Sequence, residues 1–108
     1  MNYKMLKEYV RKFQLEKYIS LFKSYTLYDK EYSIFYLKKS SFLWRFINGF
    51  SKRYIVFQNI DIGYGKIKNE REFDNTDEAS NYLWELFKEY AYKDNYHELI
   101  NIIEKLNW

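Results

Sequence analysis

The sequence predicts an α+β fold: an N-terminal helix pair, a three- to four-stranded antiparallel β-meander, and two C-terminal helices packed on the sheet. Three observations lead there. Ala79, Tyr82, Leu83, Leu86, Phe87 and Tyr90 recur at i, i+3, i+4, i+7, i+8 and i+11, the spacing of one helix face. Residues 32–36 and 54–58 switch to the alternation and the β-branched, aromatic content of strands. Before them, residues 3–25 carry two helical stripes with a break of register between.

The first stripe is Leu6, Val10 and Phe13, with Tyr3, Met5 and Tyr9 on its flanks. Continuing it needs apolar residues near positions 14 and 17, where Gln14 and Lys17 stand. A new stripe of Leu15, Tyr18, Ile19, Phe22 and Tyr25 begins instead, so two short helices joined by a tight bend between Phe13 and Leu15 are expected. Tyr32, Ile34 and Tyr36 then alternate with Ser33 and Phe35, which predicts a strand over 29–36 with both faces partly covered. The polar run Lys38 to Ser41 turns the chain.

Phe42 to Ile47 reads two ways. Ser41 is a suitable cap and Gly49 a suitable terminator for a short helix. Asn48-Gly49 between aromatic-rich runs is also a hairpin signature, and this favours a strand. Tyr54 to Gln58 makes the next strand, Gly63 and Gly65 punctuate a turn around Tyr64, and Lys66 to Phe73 returns with Ile67 facing inward. Lys and Glu along the edges guard against edge-to-edge pairing. Asn75 and Glu78 have the spacing of a capping box ahead of the long helix, and the surrounding acids suit its dipole. Asp94-Asn95 breaks that helix, and a last one turns Leu99, Ile102, Ile103 and Leu106 inward and ends near Trp108.

A chain of 108 residues fits one α+β domain, 1–108, able to bury about 65% of its unfolded surface. Aromatics make up 23% of it, so Tyr and Phe must fill much of the core, with tyrosine hydroxyls reaching its edge. The absence of Cys removes disulfides, thiolate catalysis and Cys-ligated zinc, and it fits a reducing cytoplasm. The opening MNYKMLKEYVRKF alternates apolar and charged residues and has no run long enough for a signal peptide or a membrane span. A cytoplasmic protein without membrane association and without a cofactor is the expectation.

Charge is distributed unevenly. Residues 1–53 hold twelve Lys/Arg against four Asp/Glu (+8), and residues 54–108 hold six against eleven (−5), which returns the net +3. Catalytic signatures are missing from this background. His97, the only His, sits beside Glu98 with no orienting partner apparent, and a lone His with scattered acids has no metal-ligand spacing. The serines lack a nucleophile elbow, and Gly63-Tyr64-Gly65 falls short of a phosphate-cradling loop. These absences point away from an enzyme.

Two binding surfaces compete. In the expected hairpin Lys38, Lys39, Arg45, Lys52 and Arg53 lie near Phe42, Trp44, Phe46 and Tyr54, a mixture of cations and stacking faces suited to single-stranded nucleic acid. Against this stands the plainer reading of aromatics as core and cations as solvated rim. The second surface is acidic: Glu70, Glu72, Asp74, Asp77 and Glu78 fall within nine residues and only Arg71 offsets them. Trp84 lies off the centre of its helix's apolar stripe, where an exposed Trp beside charge would make a binding anchor. The alternative is a dipole-capping cluster with Trp84 packed on the sheet flank.

Two patches resemble a family. Phe13-Gln14-Leu15-Glu16-Lys17-Tyr18 after a short helix, then strands, then Phe73 followed by an acidic cap and Glu78-Ala79 opening an amphipathic helix, is similar to small cytoplasmic immunity proteins of bacterial polymorphic toxin systems. Their motifs are short and mostly structural. Gly is common in that family where Gln14 stands, and Trp where Tyr54 stands. The resemblance implies one-to-one neutralisation of a cognate toxin; many such toxins are nucleases, whose basic cleft would receive the acidic residues. A nucleic-acid-binding module and a phage- or mobile-element-encoded inhibitor of a host protein are the other classes kept in view.

Overall fold

The computed structural model describes residues 1–24, 33–40, 42–49, 51–61 and 66–106. In chain order they form helix α1 (Tyr3–Lys12), strands β1 (Ile19–Ser24) and β2 (Phe35–Lys39), helix α2 (Phe42–Asn48), strands β3 (Tyr54–Asp61) and β4 (Lys66–Phe73), and helices α3 (Thr76–Lys93) and α4 (His97–Leu106). The class is α+β. The four strands make one sheet in the order β1-β2-β3-β4, with α3 packed on β2, β3 and β4 and flanked by α1 and α4.

Helix α1 begins at Asn2, whose side chain accepts the Met5 N–H at 2.8 Å, and it buries Leu6 and Val10. It ends in the expected bend. Gln14 takes a left-handed φ of 54°, the Leu15 N–H donates to the Val10 carbonyl at 2.9 Å, and Leu15 is buried. This is a helix-closing motif usually built on glycine. A single further turn follows, in which Tyr18 and Ile19 donate to the Leu15 carbonyl, and the chain then straightens into β1.

The expected second helix is therefore a strand. Ile19, Ser20 and Leu21 pair in parallel with Phe35, Tyr36 and Leu37, while β2-β3 and β3-β4 are antiparallel, so the sheet is mixed and not an antiparallel meander. The Leu15-Tyr18-Ile19 spacing serves the one helical turn, and Ile19 and Leu21 then alternate onto the core face; the parallel partner is distant in sequence and leaves no local trace. The strand expected over 29–36 is placed later, at Phe35–Lys39, with residues 25–32 outside the described set. Lys38 and Lys39 thus belong to β2 and do not turn the chain.

Phe42 to Ile47, expected as a strand, lies in helix α2. Gly49 follows with φ of 72°, so Asn48-Gly49 closes a helix here and does not form a hairpin turn. The β3-β4 pairing carries a bulge: Val56 pairs with Arg71 and Gln58 with Lys68, which leaves Phe57 opposite Asn69 and Glu70. Asn69 is left-handed (φ 56°), its carbonyl accepts the Tyr82 hydroxyl at 3.0 Å, and its amide donates to Gln58 at 3.3 Å. The Gly63-Tyr64-Gly65 turn, Ser41 as a cap and Trp108 lie outside the described residues.

The long helix forms as its periodicity predicts. Asn75 Oδ1 accepts the N–H groups of Asp77 (2.7 Å) and Glu78 (3.3 Å), and Ala79, Leu83, Leu86 and Phe87 are buried. Asp94 caps the end and Asn95 is left-handed. Leu99 and Ile103 of α4 complete a core that runs from the helices to one face of the sheet. On the other face a smaller cluster joins Tyr36, Ile55, Phe57 and Ile67, with the Tyr36 and Phe57 rings stacked at 4.9 Å.

Candidate docking surface

One end of the sheet gathers most of the residues singled out in the sequence. Lys39 at the end of β2 pairs with Tyr54 at the start of β3, and Tyr54 pairs with Phe73 at the end of β4. Helix α2 bridges the first two positions, and α3 begins three residues after the third. Ser51, just past α2, donates its hydroxyl to Glu72 Oε2 at 3.2 Å and links the α2 connection to the acidic strand.

The acids on this end have different surroundings. Glu72 pairs across the strand with Ile55, on the face away from the helices, and Glu70 lies one bulge further along β4. The Glu70 carboxyl is held above its usual range, first by partial burial and then by the charge of Glu72. Arg71, between them in sequence, points to the opposite face and lies over the Phe73 and Tyr82 rings at 5.2 and 5.3 Å. The cation that appears in sequence to offset the acids is thus turned to the helix side of β4. Asp74 and Glu78 are exposed. Asp77 is exposed too, but its Oδ1 accepts the backbone N–H of Tyr3 at 3.0 Å, at an α1 terminus that lacks intrahelical partners.

Trp84 does not belong to this surface. It is 1% exposed, and its ring packs against Phe87 (5.2 Å between centroids) and Tyr9 (6.5 Å). Lying off the sheet-facing stripe does not expose it, because α3 also packs against α1 and α4 and buries Ser80, Trp84 and Ala91. Its role as an exposed anchor is withdrawn.

The basic set is also divided. Lys38 is 2% exposed, with its ammonium 5.2 Å from the centre of the Tyr36 ring, so it is withdrawn from any contact with nucleic acid. Lys39, Lys52 and Arg53 are exposed and Arg45 is half-buried. Of the apolar residues exposed on α2, the sequence points to Phe46 as a stacking face and does not single out Leu43 or Ile47. Leu43, Phe46 and Ile47 on α2 are 66%, 80% and 66% exposed, and their i, i+3, i+4 spacing makes one stripe. That spacing is present in the sequence, but it becomes a stripe only on a helix, and Asn48-Gly49 suits a helix end and a hairpin turn alike.

The opposite end of the sheet holds a cleft of about 410 Å³ between β3, β4 and the end of α3, lined by Gln58, Lys68, Asn69, Glu89, Tyr90 and Lys93 among others. Tyr90 stacks on Tyr96 at 4.9 Å, and burial, followed by its hydrogen bond with Tyr96, raises its hydroxyl well above the usual tyrosine range. His97 is exposed at the start of α4. Among the described residues, no three His, Asp or Glu side chains converge as metal ligands, and no helix is long and apolar enough to cross a membrane. No protein-family model matches this chain, and neither does any curated protein or solved structure.

Proposed function

We propose that this chain is an immunity protein that acts in the cytoplasm without catalysis, binding a cognate bacterial toxin one-to-one and occluding its active site. The observation that carries the reading is the acidic array at one end of the sheet, exposed Glu70 and half-buried Glu72 on β4 with exposed Asp74 and Glu78 at the start of α3. Arg71 lies over the Phe73 ring on the helix side of β4 and does not screen Glu72, which pairs with Ile55 on the other face, so a cationic partner surface would meet Glu70 and Glu72 without competition from Arg71. A nuclease with a basic cleft supplies such a partner, and opposite charge steers the encounter. Asp77 contributes to the local potential while it secures α1.

The resemblance in Phe13 to Tyr18 and in Phe73 to Ala79 supports the same reading. Binding to nucleic acid through Lys39, Arg45, Lys52 and Arg53 has less support, since Lys38 is buried and Glu72 lies next to the same surface. The test is protection in cells. Co-expression with the toxin encoded by the neighbouring gene should restore growth, and the Glu72→Lys, Asp74→Lys, Glu78→Lys variant should not. Growth arrest despite folded wild-type protein contradicts the proposal.

A further inference from the structure

We infer that the exposed stripe of α2, formed by Leu43, Phe46 and Ile47, is the apolar centre of the docking surface and inserts into an apolar groove on the protein partner. The inference rests on the inhibitor reading above and adds to it where the contact is centred. Side chains that are 66%, 80% and 66% exposed project from the surface, and among the described residues none of the three joins either hydrophobic cluster. Three large apolar groups on one short helix at i, i+3 and i+4 are the anchors of helix-in-groove recognition. Stable interfaces have this composition, with an apolar centre inside a polar rim.

The rim decides which partner fits. Residues 32–60 contain no Asp or Glu, so the exposed or half-buried charges within α2 and flanking it along the chain are cations, Lys39, Arg45, Lys52 and Arg53. The Ser51 to Glu72 hydrogen bond joins this region to the acids of β4 and the start of α3. A matching partner carries an apolar groove with acidic side chains toward α2 and basic side chains toward Glu72 and Glu78. An anionic lipid surface would attract the cations but repel Glu70, Glu72 and Asp74. A second copy of this chain would set one projecting stripe against another and bring like charges together around the two-fold axis. A folded protein of mixed charge satisfies both halves of the rim.

The experiment compares wild type, the Leu43→Ser, Phe46→Ser, Ile47→Ser variant, and Ile60→Ser, which alters another exposed apolar residue at the opposite end of the sheet. Affinity for the toxin encoded by the neighbouring gene is read by calorimetry, and retention of fold by thermal melting. The α2 variant should melt like wild type and bind about 30-fold more weakly or worse, as loss of a hot spot implies, while Ile60→Ser binds normally. If wild type binds and the folded α2 variant binds equally well, the inference is overturned while the inhibitor reading survives. If wild type does not bind the toxin, both are overturned. Stripe-dependent binding to vesicles of equimolar phosphatidylcholine and phosphatidylglycerol, or stripe-dependent dimerisation, with toxin affinity unchanged, would also overturn it.

Discussion

The carboxylate of Asp77 accepts the backbone N–H of Tyr3 at 3.0 Å across 74 residues of sequence, so an acid of the conspicuous cluster closes the fold by securing α1 to α3. It satisfies one of the N–H groups that a helix start leaves unpaired. Asp77→Ala should therefore cost about 1 kcal/mol of stability in a denaturant titration, the usual worth of such a bond. Asp77→Asn, which keeps an acceptor oxygen, should cost less. An Asp77→Ala variant as stable as wild type would show that the contact contributes nothing.

Gln14 adopts the left-handed conformation at the end of α1 that glycine takes without strain. Gln14→Gly should raise stability by about 1 kcal/mol, seen as a higher denaturant midpoint with an unchanged slope. A lower midpoint would mean that the Gln14 side chain makes a stabilising contact that outweighs the strain.

Trp84 and Ser80 lie one turn apart on the buried side of α3, and Trp84 Nε1 and Ser80 Oγ are buried with no hydrogen-bond partner among the described residues. Trp84→Ala should cost about 3–5 kcal/mol through the cavity it leaves. Ser80→Ala removes a buried hydroxyl that no bond repays, and it should be neutral or stabilising by up to about 1 kcal/mol. Thermal unfolding of the two variants separates these outcomes, and a large loss for Ser80→Ala would reveal a bond to its hydroxyl.

Glu70 has a carboxyl pKa raised in the folded state, by burial and by Glu72. The folded state then holds the proton more tightly than the unfolded one, so this group's stabilising contribution is present below the ordinary carboxylate range and is lost as pH rises through the raised value. Glu70→Gln should thus be more stable than wild type at neutral pH, with the gap closing as pH falls below that range. Melting midpoints measured across pH test the sign, and a variant less stable at neutral pH contradicts it.

Legibility in the sequence followed the range of the interactions. Helices α3 and α4, the β3-β4 pair and the bend after α1 were readable because each is specified by neighbours: a sustained stripe with Asn75 as its cap, a β-branched run, and a register break at Gln14. The strand β1 was read as helix because Leu15, Tyr18 and Ile19 satisfy one helical turn, while its parallel partner β2 is set by long-range pairing. At Asn48-Gly49 one dipeptide fits two roles, and φ of 72° at Gly49 closes α2. The acids were placed correctly on β4 and the start of α3, but the burial of Trp84 and Lys38 follows from α1 and from the second sheet face, which no local window contains.

In the proposed neutralisation of a toxin, the end of the sheet that carries Glu72, Asp74 and Glu78 docks on the toxin domain. Isothermal titration of the toxin domain encoded by the neighbouring gene tests this docking most directly. Binding should be one-to-one, with an affinity that falls with added salt and drops sharply in the Glu72→Lys, Asp74→Lys, Glu78→Lys variant. Absence of binding by wild type, or equal affinity in the folded variant, would contradict it.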